Sequence, residues 1–218
     1  FLFYRESGRG SWGVIRNDEG VSYKSAVTIP LTLLDDRVFP TLGILQVASV
    51  LEEAGHEVYV EDLGGQADYQ DVMAQTVSLG FDCYGVTSTT PQWPMTIDIL
   101  NVIRQFDPGK RVIIGGPHAT VMPESAQMFD CVVRGDGEEA ILTAIDPVAP
   151  KVLDYATNTT KGELKWHSPA RHLIDMDSYK YSLFGVKGTN ILTEMGCPYN
   201  CLFCCGRLSP FYRRVKYR

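Results

Sequence analysis

Three cysteines near the end of the sequence have a spacing that suits one inorganic centre. Cys197, Cys201 and Cys204 are separated by three and then by two residues. Spacings this short allow a single loop to surround one metal site, and three thiolates would leave one iron of a cubane iron–sulfur cluster without a protein ligand. An iron with an open position can bind a further molecule and do chemistry on it.

Zinc and disulfide bonds are two other uses for cysteines in this region. A structural zinc site takes four tetrahedral ligands, usually as two separated pairs. Cys205 is a candidate for a fourth ligand, but it directly follows Cys204 and cannot easily turn its sulfur toward the same ion. Six cysteines also permit disulfide bonds, although Cys83 and Cys131 lie in apolar runs typical of small buried residues. We favour a cluster over zinc, and zinc over disulfides.

The cysteine segment resembles the cluster loop of the radical S-adenosylmethionine enzymes, in which an aromatic residue precedes the last cysteine. Phe203 occupies that aromatic position. The resemblance implies that Cys197, Cys201 and Cys204 hold a 4Fe-4S cluster, and that S-adenosylmethionine chelates the fourth iron. One electron from the cluster would then cleave the sulfonium and give a 5′-deoxyadenosyl radical. Residues 188–196 are β-like and end in glycine, so we expect them to be the first barrel strand.

Length, composition and charge limit the class of protein that this chain can be. The chain has 218 residues, 44% hydrophobic and 21% charged, which is enough for one core and part of another. A formal net charge of −6 argues against a nucleic-acid surface. No apolar run reaches the roughly 18 residues of a membrane span, and we identify no signal peptide. These features predict a protein of the reducing cytoplasm.

Strand and helix patterns alternate before the cysteines. Apolar residues at helical spacing predict helices over residues 41–54, 68–79 and 96–106, and from 138 to about 145. Strands are predicted at residues 1–4, 57–61, 82–87, 111–114 and 130–134. Repeated strand–helix–strand units imply an α/β fold, with a flavodoxin-like or Rossmann-like parallel sheet covered by helices on both faces.

Three polar, glycine-rich loops follow predicted strands, where parallel α/β sheets bind their ligands. Each loop alone is typical of a turn that ends a strand, but three together favour a ligand, since glycine allows close approach and hydroxyls can donate hydrogen bonds. Because these loops lie outside the sheet, we expect a bulky residue at Gly116 to block the ligand with little loss of stability. The candidate cofactor-binding residues are Thr87, Ser88, Thr89, Thr90, Gly115, Gly116, Pro117, His118, Gly135, Asp136, Gly137 and Glu138, together with Phe203.

Residues 1–145 resemble the cobalamin-binding domain found in front of many radical S-adenosylmethionine cores. The resemblance rests on residues 39–43, residues 51–58 and the Gly-Gly-Pro-His stretch, and it implies a cobalamin cofactor. The sequence lacks the Asp-x-His-x-x-Gly motif that supplies an axial histidine in other cobalamin domains. We therefore expect cobalamin without a histidine on cobalt, with His56 at the surface and His118 lining the ligand cleft.

The chain divides into three predicted parts. Residues 1–145 are the cobalamin-binding domain, 146–187 an irregular linker, and 188–218 the start of a radical S-adenosylmethionine domain, a partial (β/α) barrel. Residues 11–39 are too long for a simple crossover, and we expect either a lid over the cofactor or a structural hairpin. Because further barrel units are missing, these residues alone are not expected to catalyse.

Two functions fit these features. The first is an enzyme in which the radical abstracts hydrogen from an unactivated carbon and methylcobalamin supplies a methyl group. The second is a cofactor-binding or vestigial cobalamin module of a radical enzyme with non-methylating chemistry. The resemblance also implies a small-molecule or peptide substrate and an electron donor such as flavodoxin or ferredoxin.

Overall fold

The computed structural model describes residues 37–156, 167–193, 199 and 201–204, and the backbone of residues 2–3, 16–17, 20–21, 24–29, 194–196 and 212–214. Six parallel strands form the main sheet: β1 (Lys24–Ile29), β2 (Glu57–Asp62), β3 (Cys83–Thr87), β4 (Arg111–Gly115), β5 (Cys131–Arg134) and β6 (Val152–Asp154). Their spatial order is β2-β1-β3-β4-β5-β6. This is the flavodoxin-like order, and its direction reverses between β1 and β3. The predicted fold class is confirmed.

Helices cover both faces of this sheet. They are α1 (Leu42–Glu53), α2 (Tyr69–Val77), α3 (Trp93–Phe106), α4 (Gly116–Val121) and α5 (Gly137–Ala144). α1 packs against α5, and α2 packs against α3, as right-handed crossovers on two faces require. Because both faces are covered, β4 and β5 are continuous apolar runs with buried centres. None of the helices within the described ranges is long and apolar enough to span a bilayer.

The predicted elements between residues 41 and 145 are present within a few residues of their predicted bounds. α1 ends where the sequence places its stop, because Gly55 adopts a left-handed φ of 87° and the amides of Gly55 and His56 bond back to the carbonyls of Glu52 and Leu51 at 2.9 and 3.0 Å. This is a Schellman motif, in which the residue after the glycine packs against the helix. His56 is consequently only 8% exposed, and the expectation that it lies at the surface was wrong.

The first strand of the sheet differs from the prediction. β1 lies at residues 24–29 and pairs with both β2 and β3, so this part of residues 11–39 is neither a lid nor a separate hairpin. Arg16–Asn17 and Gly20–Val21 form a short antiparallel pair just before it. Leu2–Phe3 is a short strand antiparallel to β1. The β1 sequence contains lysine, serine and threonine, and therefore lacks the apolar run that marks a central parallel strand.

The linker is also more ordered than predicted. β6 lies within residues 146–187 and pairs in parallel with β5, so the sheet continues beyond residue 145. Short 3-10 helices follow at Arg171–Leu173 and Met176–Ser178, and Ser182–Leu183 pairs with Val186–Lys187 as a hairpin. Three-residue strands and single turns carry almost no periodic signal, which explains why the sequence pattern did not reveal them.

Candidate cofactor site

The three predicted loops meet at one edge of the sheet. They follow β3, β4 and β5, and we call residues 87–90, 115–118 and 135–138 together the rim. The Ser88 amide donates to the Gly115 carbonyl at 3.2 Å, and the His118 amide donates to the Ser88 carbonyl at 2.9 Å. The Gly135 amide donates to Thr120 Oγ1 at 3.0 Å. The rim is therefore one hydrogen-bonded structure beside the switch in strand order.

Many polar groups of the loop after β3 form hydrogen bonds within the protein. Ser88 is 1% exposed, and its hydroxyl accepts from Thr96 Oγ1 at 2.8 Å while donating to the Thr89 carbonyl at 3.0 Å. Thr89 and Gln92 form a capping box around the 3-10 turn Thr90–Gln92, with the Thr89 hydroxyl donating to Gln92 Oε1 at 2.8 Å. Thr89 and Thr90 are exposed and remain accessible to a ligand. Sequence reasoning missed Gln92 and Thr96, although Thr-x-x-Gln is a recognisable capping-box signature.

Close packing requires a glycine at position 116. The residues 115–118, predicted as a loop, continue into α4, and Gly116 begins this helix with a φ of 87°. A Cβ at this position would lie 2.4 Å from Thr87 Oγ1 and 3.0 Å from the Ser88 amide nitrogen. The position thus faces the neighbouring loop of the protein, so the expectation that a bulky side chain there would leave stability intact was wrong.

The His118 side chain is buried within the rim and does not line an open cleft as expected. It is 3% exposed, and its ring stacks on Trp93 with centroids 4.1 Å apart and planes inclined by 25°. Nε2 lies 2.9 Å from Ser125 Oγ and Nδ1 lies 3.1 Å from Thr90 Oγ1. Both ring nitrogens therefore have partners within the protein.

The protonation state of His118 follows from its surroundings. Burial lowers the pKa of His118 below its ordinary value, which favours the neutral ring at pH 7. The Ser125 hydroxyl donates to the Met122 carbonyl at 2.7 Å, so it must accept from Nε2–H of His118. Nδ1 is then the acceptor for the Thr90 hydroxyl. His118 thus braces Thr90, which is exposed at the rim.

The loop after β5 is also explained by packing. Gly135 has a φ of 83°, and a Cβ there would lie 2.4 Å from the Ala156 amide nitrogen. At Gly137 a Cβ would lie 2.9 Å from Val47 Cγ2 of α1. Asp136 is 8% exposed and occupies the N-cap position of α5, and Glu138 in the first turn complements the helix dipole. The loop after β5 therefore contributes to the shape of the rim. The exposed residues of the rim are Thr89, Thr90 and Pro117, which belong to the loops after β3 and β4.

The cysteine turn lies after a short strand. Glu194–Gly196 pairs antiparallel with Tyr212–Arg214, so the predicted strand is present in its last three residues. Cys201 and Cys204 are exposed, and the Cys204 amide donates to the Cys201 carbonyl at 3.1 Å, which places both cysteines on one turn. Phe203 between them is 94% exposed. Accessible cysteine sulfurs on one turn fit the ligand chemistry of an iron–sulfur cluster.

Cys197 lies outside the described residues, so its place relative to this turn stays a prediction. Among the residues that the structure describes, no group of three or more histidine, cysteine or carboxylate side chains is assembled as a metal site.

The comparisons with known proteins agree with this architecture. Residues 36–145, about half of the chain, match the family of the B12 binding domain. The chain therefore belongs to this cobalamin-binding family.

Three relatives extend the comparison. An uncharacterized methyltransferase of Pyrococcus horikoshii is 27% identical over an alignment of 192 residues, and the match covers 78% of this chain and 41% of that protein. The anaerobic magnesium-protoporphyrin IX monomethyl ester cyclase of Cereibacter sphaeroides is 22% identical over an alignment of 191 residues, and the match covers 76% of this chain and 31% of that protein. The solved radical S-adenosylmethionine methyltransferase TsrM of Kitasatospora setae, with tryptophan and a SAM analogue bound, has a TM-score of 0.58 at 20% identity, over 88% of this chain and 43% of that chain.

The match to the B12 binding domain confirms the predicted resemblance to a cobalamin-binding domain. The similarity to TsrM shows a shared fold. The chain spans less than half the length of each of these proteins.

Proposed function

We propose that this chain is part of a cobalamin-dependent radical S-adenosylmethionine enzyme that transfers a methyl group to an unactivated carbon. The observation that carries the proposal is the order of two units in one chain: a cobalamin-family domain at residues 36–145, then the Cys-x3-Cys-x2-Cys segment at residues 197–204. When bound, the cluster with S-adenosylmethionine would supply a 5′-deoxyadenosyl radical, and cobalamin would supply the methyl group.

The rim is the proposed cobalamin site. Thr89, Thr90 and Pro117 are exposed at the carboxyl edge and would contact the cofactor, while the buried Ser88 and the close-packed glycines would keep the rim in shape. The absence of a histidine on cobalt is supported by two observations. The sequence lacks the axial motif, and both ring nitrogens of His118 already have partners.

The cysteines are the proposed cluster ligands. Cys197, Cys201 and Cys204 would hold three irons and leave the fourth for S-adenosylmethionine, with Phe203 beside the site. We further propose a small-molecule or peptide substrate, an electron donor such as flavodoxin or ferredoxin, and a reducing cytoplasmic setting that preserves the thiolates. No role in nucleic-acid binding is proposed, since the net charge is −6.

A second candidate is radical chemistry without methylation on the same cofactors. It is favoured by the relative that is named a cyclase and that matches 76% of this chain. Where the cobalamin module binds its cofactor, both candidates contain the same three cofactors, so the reaction product must be analysed to separate them.

The test uses the full-length protein purified and reconstituted without oxygen. Separate corrin and iron–sulfur absorption bands are expected, and their absence would overturn the proposal. Candidate small molecules are then incubated with S-adenosylmethionine labelled in its methyl group, with a reductant. Label in the product supports methyl transfer, whereas 5′-deoxyadenosine formed with an unlabelled, altered product supports the second candidate.

A further inference from the structure

A buried polar cluster fastens the segment 167–190, here called the connector, to the end of β2. Tyr179 is 5% exposed and Asp62 is 8% exposed, and the Tyr179 hydroxyl donates to Asp62 Oδ2. The other carboxylate oxygen, Asp62 Oδ1, accepts from the Gly64 amide at 2.9 Å. Both oxygens of this buried carboxylate are therefore satisfied, one of them by a residue 117 positions along the chain.

Arg37 completes the cluster from the segment that leads into α1. Its Nε donates to the Gly64 carbonyl at 2.8 Å, and its Nη2 donates to the Asp62 carbonyl. Nη1 lies 3.3 Å from Ser178 Oγ, next to Tyr179. The Arg37 carbonyl in turn accepts from the Lys180 amide at 2.8 Å. One arginine thus joins the turn after β2 to both neighbours of Tyr179, and we call Arg37, Asp62 and Tyr179 the clamp.

The Tyr179 hydroxyl can act only as a donor to Asp62. Burial and the neighbouring Asp62 carboxylate raise the pKa of Tyr179 well above its ordinary value, so the hydroxyl keeps its proton at any physiological pH. Phenylalanine at position 179 would leave a buried carboxylate oxygen without this donor, which is the costly half of a broken hydrogen bond.

The connector is also fixed at both of its ends. The Ala170 amide donates to the Leu45 carbonyl of α1 at 3.0 Å, and Asn190 Nδ2 donates to the Pro40 carbonyl at 3.1 Å. Near the middle, the rings of Phe39 and Tyr181 have centroids 4.6 Å apart. Four positions after Asn190 the strand Glu194–Gly196 begins, and Cys197 follows it directly.

We infer that the clamp is a positioning device, which fixes the connector on the cobalamin-binding domain and so sets the place of the cysteine turn relative to the rim. The inference rests on the proposed function, since the placement matters when both cofactors serve one substrate. Without the clamp and these end contacts, a flexible chain as long as the connector would have an end-to-end distance of roughly 25 Å. Such freedom is incompatible with two cofactors that must meet the same carbon atom.

The experiment uses the full-length protein and the variant Tyr179→Phe, with Tyr181→Phe as the matched control in the same segment. Before cofactors are added, trypsin cleavage is measured at Arg171, Lys180 and Lys187 of the connector. We expect cleavage about tenfold faster in Tyr179→Phe than in the parent, and unchanged cleavage in Tyr181→Phe. Equal rates in Tyr179→Phe and the parent would overturn the inference.

A spectroscopic measurement separates positioning from stability. After anaerobic loading, pulsed electron paramagnetic resonance gives the distance distribution between cob(II)alamin and the reduced cluster. One narrow distance is expected in the parent and in Tyr181→Phe, and a broad distribution in Tyr179→Phe with unchanged cofactor content. A narrow, unchanged distance in Tyr179→Phe would overturn the positioning role.

Two further outcomes of these measurements bear on the inference. If the protein binds neither cofactor, the proposed function fails, and the trypsin rates alone decide whether the clamp holds the connector. If Tyr179→Phe does not fold, Arg37→Gln is measured in the same way, because it removes the contacts to the Asp62 and Gly64 carbonyls. Parent-like cleavage in Arg37→Gln would then contradict the inference.

Discussion

The rim and the cysteine turn differ in the exposure of their functional groups. In the rim, Ser88 and His118 are at most 3% exposed and bond within the protein, so these residues build a surface and leave few atoms for a ligand. In the turn, residues 201–204 are all exposed. A polar, glycine-rich loop can therefore owe its composition to packing within the protein, whereas the cysteines of the turn are exposed to solvent.

The cysteines give the largest expected effect on cofactor content. Replacing Cys197, Cys201 or Cys204 by alanine should abolish cluster loading, because a cubane held by two thiolates loses a required ligand. Cys205→Ala is the control and should keep the parent iron content. Iron analysis after anaerobic reconstitution makes the measurement, and parent-like iron in Cys197→Ala would contradict the assignment. Stability should change by less than about 0.5 kcal/mol in the Cys201 and Cys204 variants, since both side chains are exposed.

Gly116 gives the largest expected effect on stability. Gly116→Leu combines a left-handed φ of 87° with a Cβ contact of 2.4 Å to Thr87, which together should lower the free energy of unfolding by roughly 2–5 kcal/mol. Gly109→Ala is a matched control, because a Cβ there meets nothing within 4 Å. Urea denaturation measures both variants. A Gly116→Leu protein as stable as the parent would show that the rim is not the rigid structure described above.

His118 gives a smaller, pH-dependent effect. Burial lowers its pKa in the folded protein below the ordinary value of 6.5, so the unfolded chain binds more protons as the pH falls below that value. The resulting stabilisation is complete above about pH 6.5 and is lost as the pH falls toward the folded pKa, at no more than about 1.4 kcal/mol per pH unit. Urea denaturation between pH 5 and 8 should show this slope in the parent.

Two variants sharpen the His118 measurement. The component due to His118 should be absent in His118→Gln and retained in His172→Gln, whose side chain is 66% exposed in the parent. Identical slopes in His118→Gln and the parent would mean that His118 is not a buried neutral ring.

The smallest expected effect is that of His118 on the spectrum of the cobalt. Electron paramagnetic resonance of the cob(II)alamin form should lack nitrogen superhyperfine splitting, and His118→Gln should leave the spectrum unchanged, because both ring nitrogens already bond to Thr90 and Ser125. Splitting in the parent that disappears in His118→Gln would show that His118 is an axial ligand.

The features that the sequence determined are those with local causes. Periodic apolar residues and Gly55 define α1, and apolar runs define β3, β4 and β5. The order of these units leads directly to a parallel α/β sheet, and the cysteine spacing needs no tertiary partner to be recognised. The three candidate loops could also be predicted, because each one follows a strand that the pattern reveals.

Other features depend on contacts between distant residues, and only the tertiary structure decided them. β1 lies between two other strands of the sheet although its sequence is partly polar, since its place is set by pairing with β2 and β3. His118 and Gly116 acquire their roles from β3-loop residues about 28 positions away. The clamp joins Asp62 to a tyrosine 117 positions later. No local pattern encodes such pairs, because the free energy of each contact arises only when the completed fold buries both partners together.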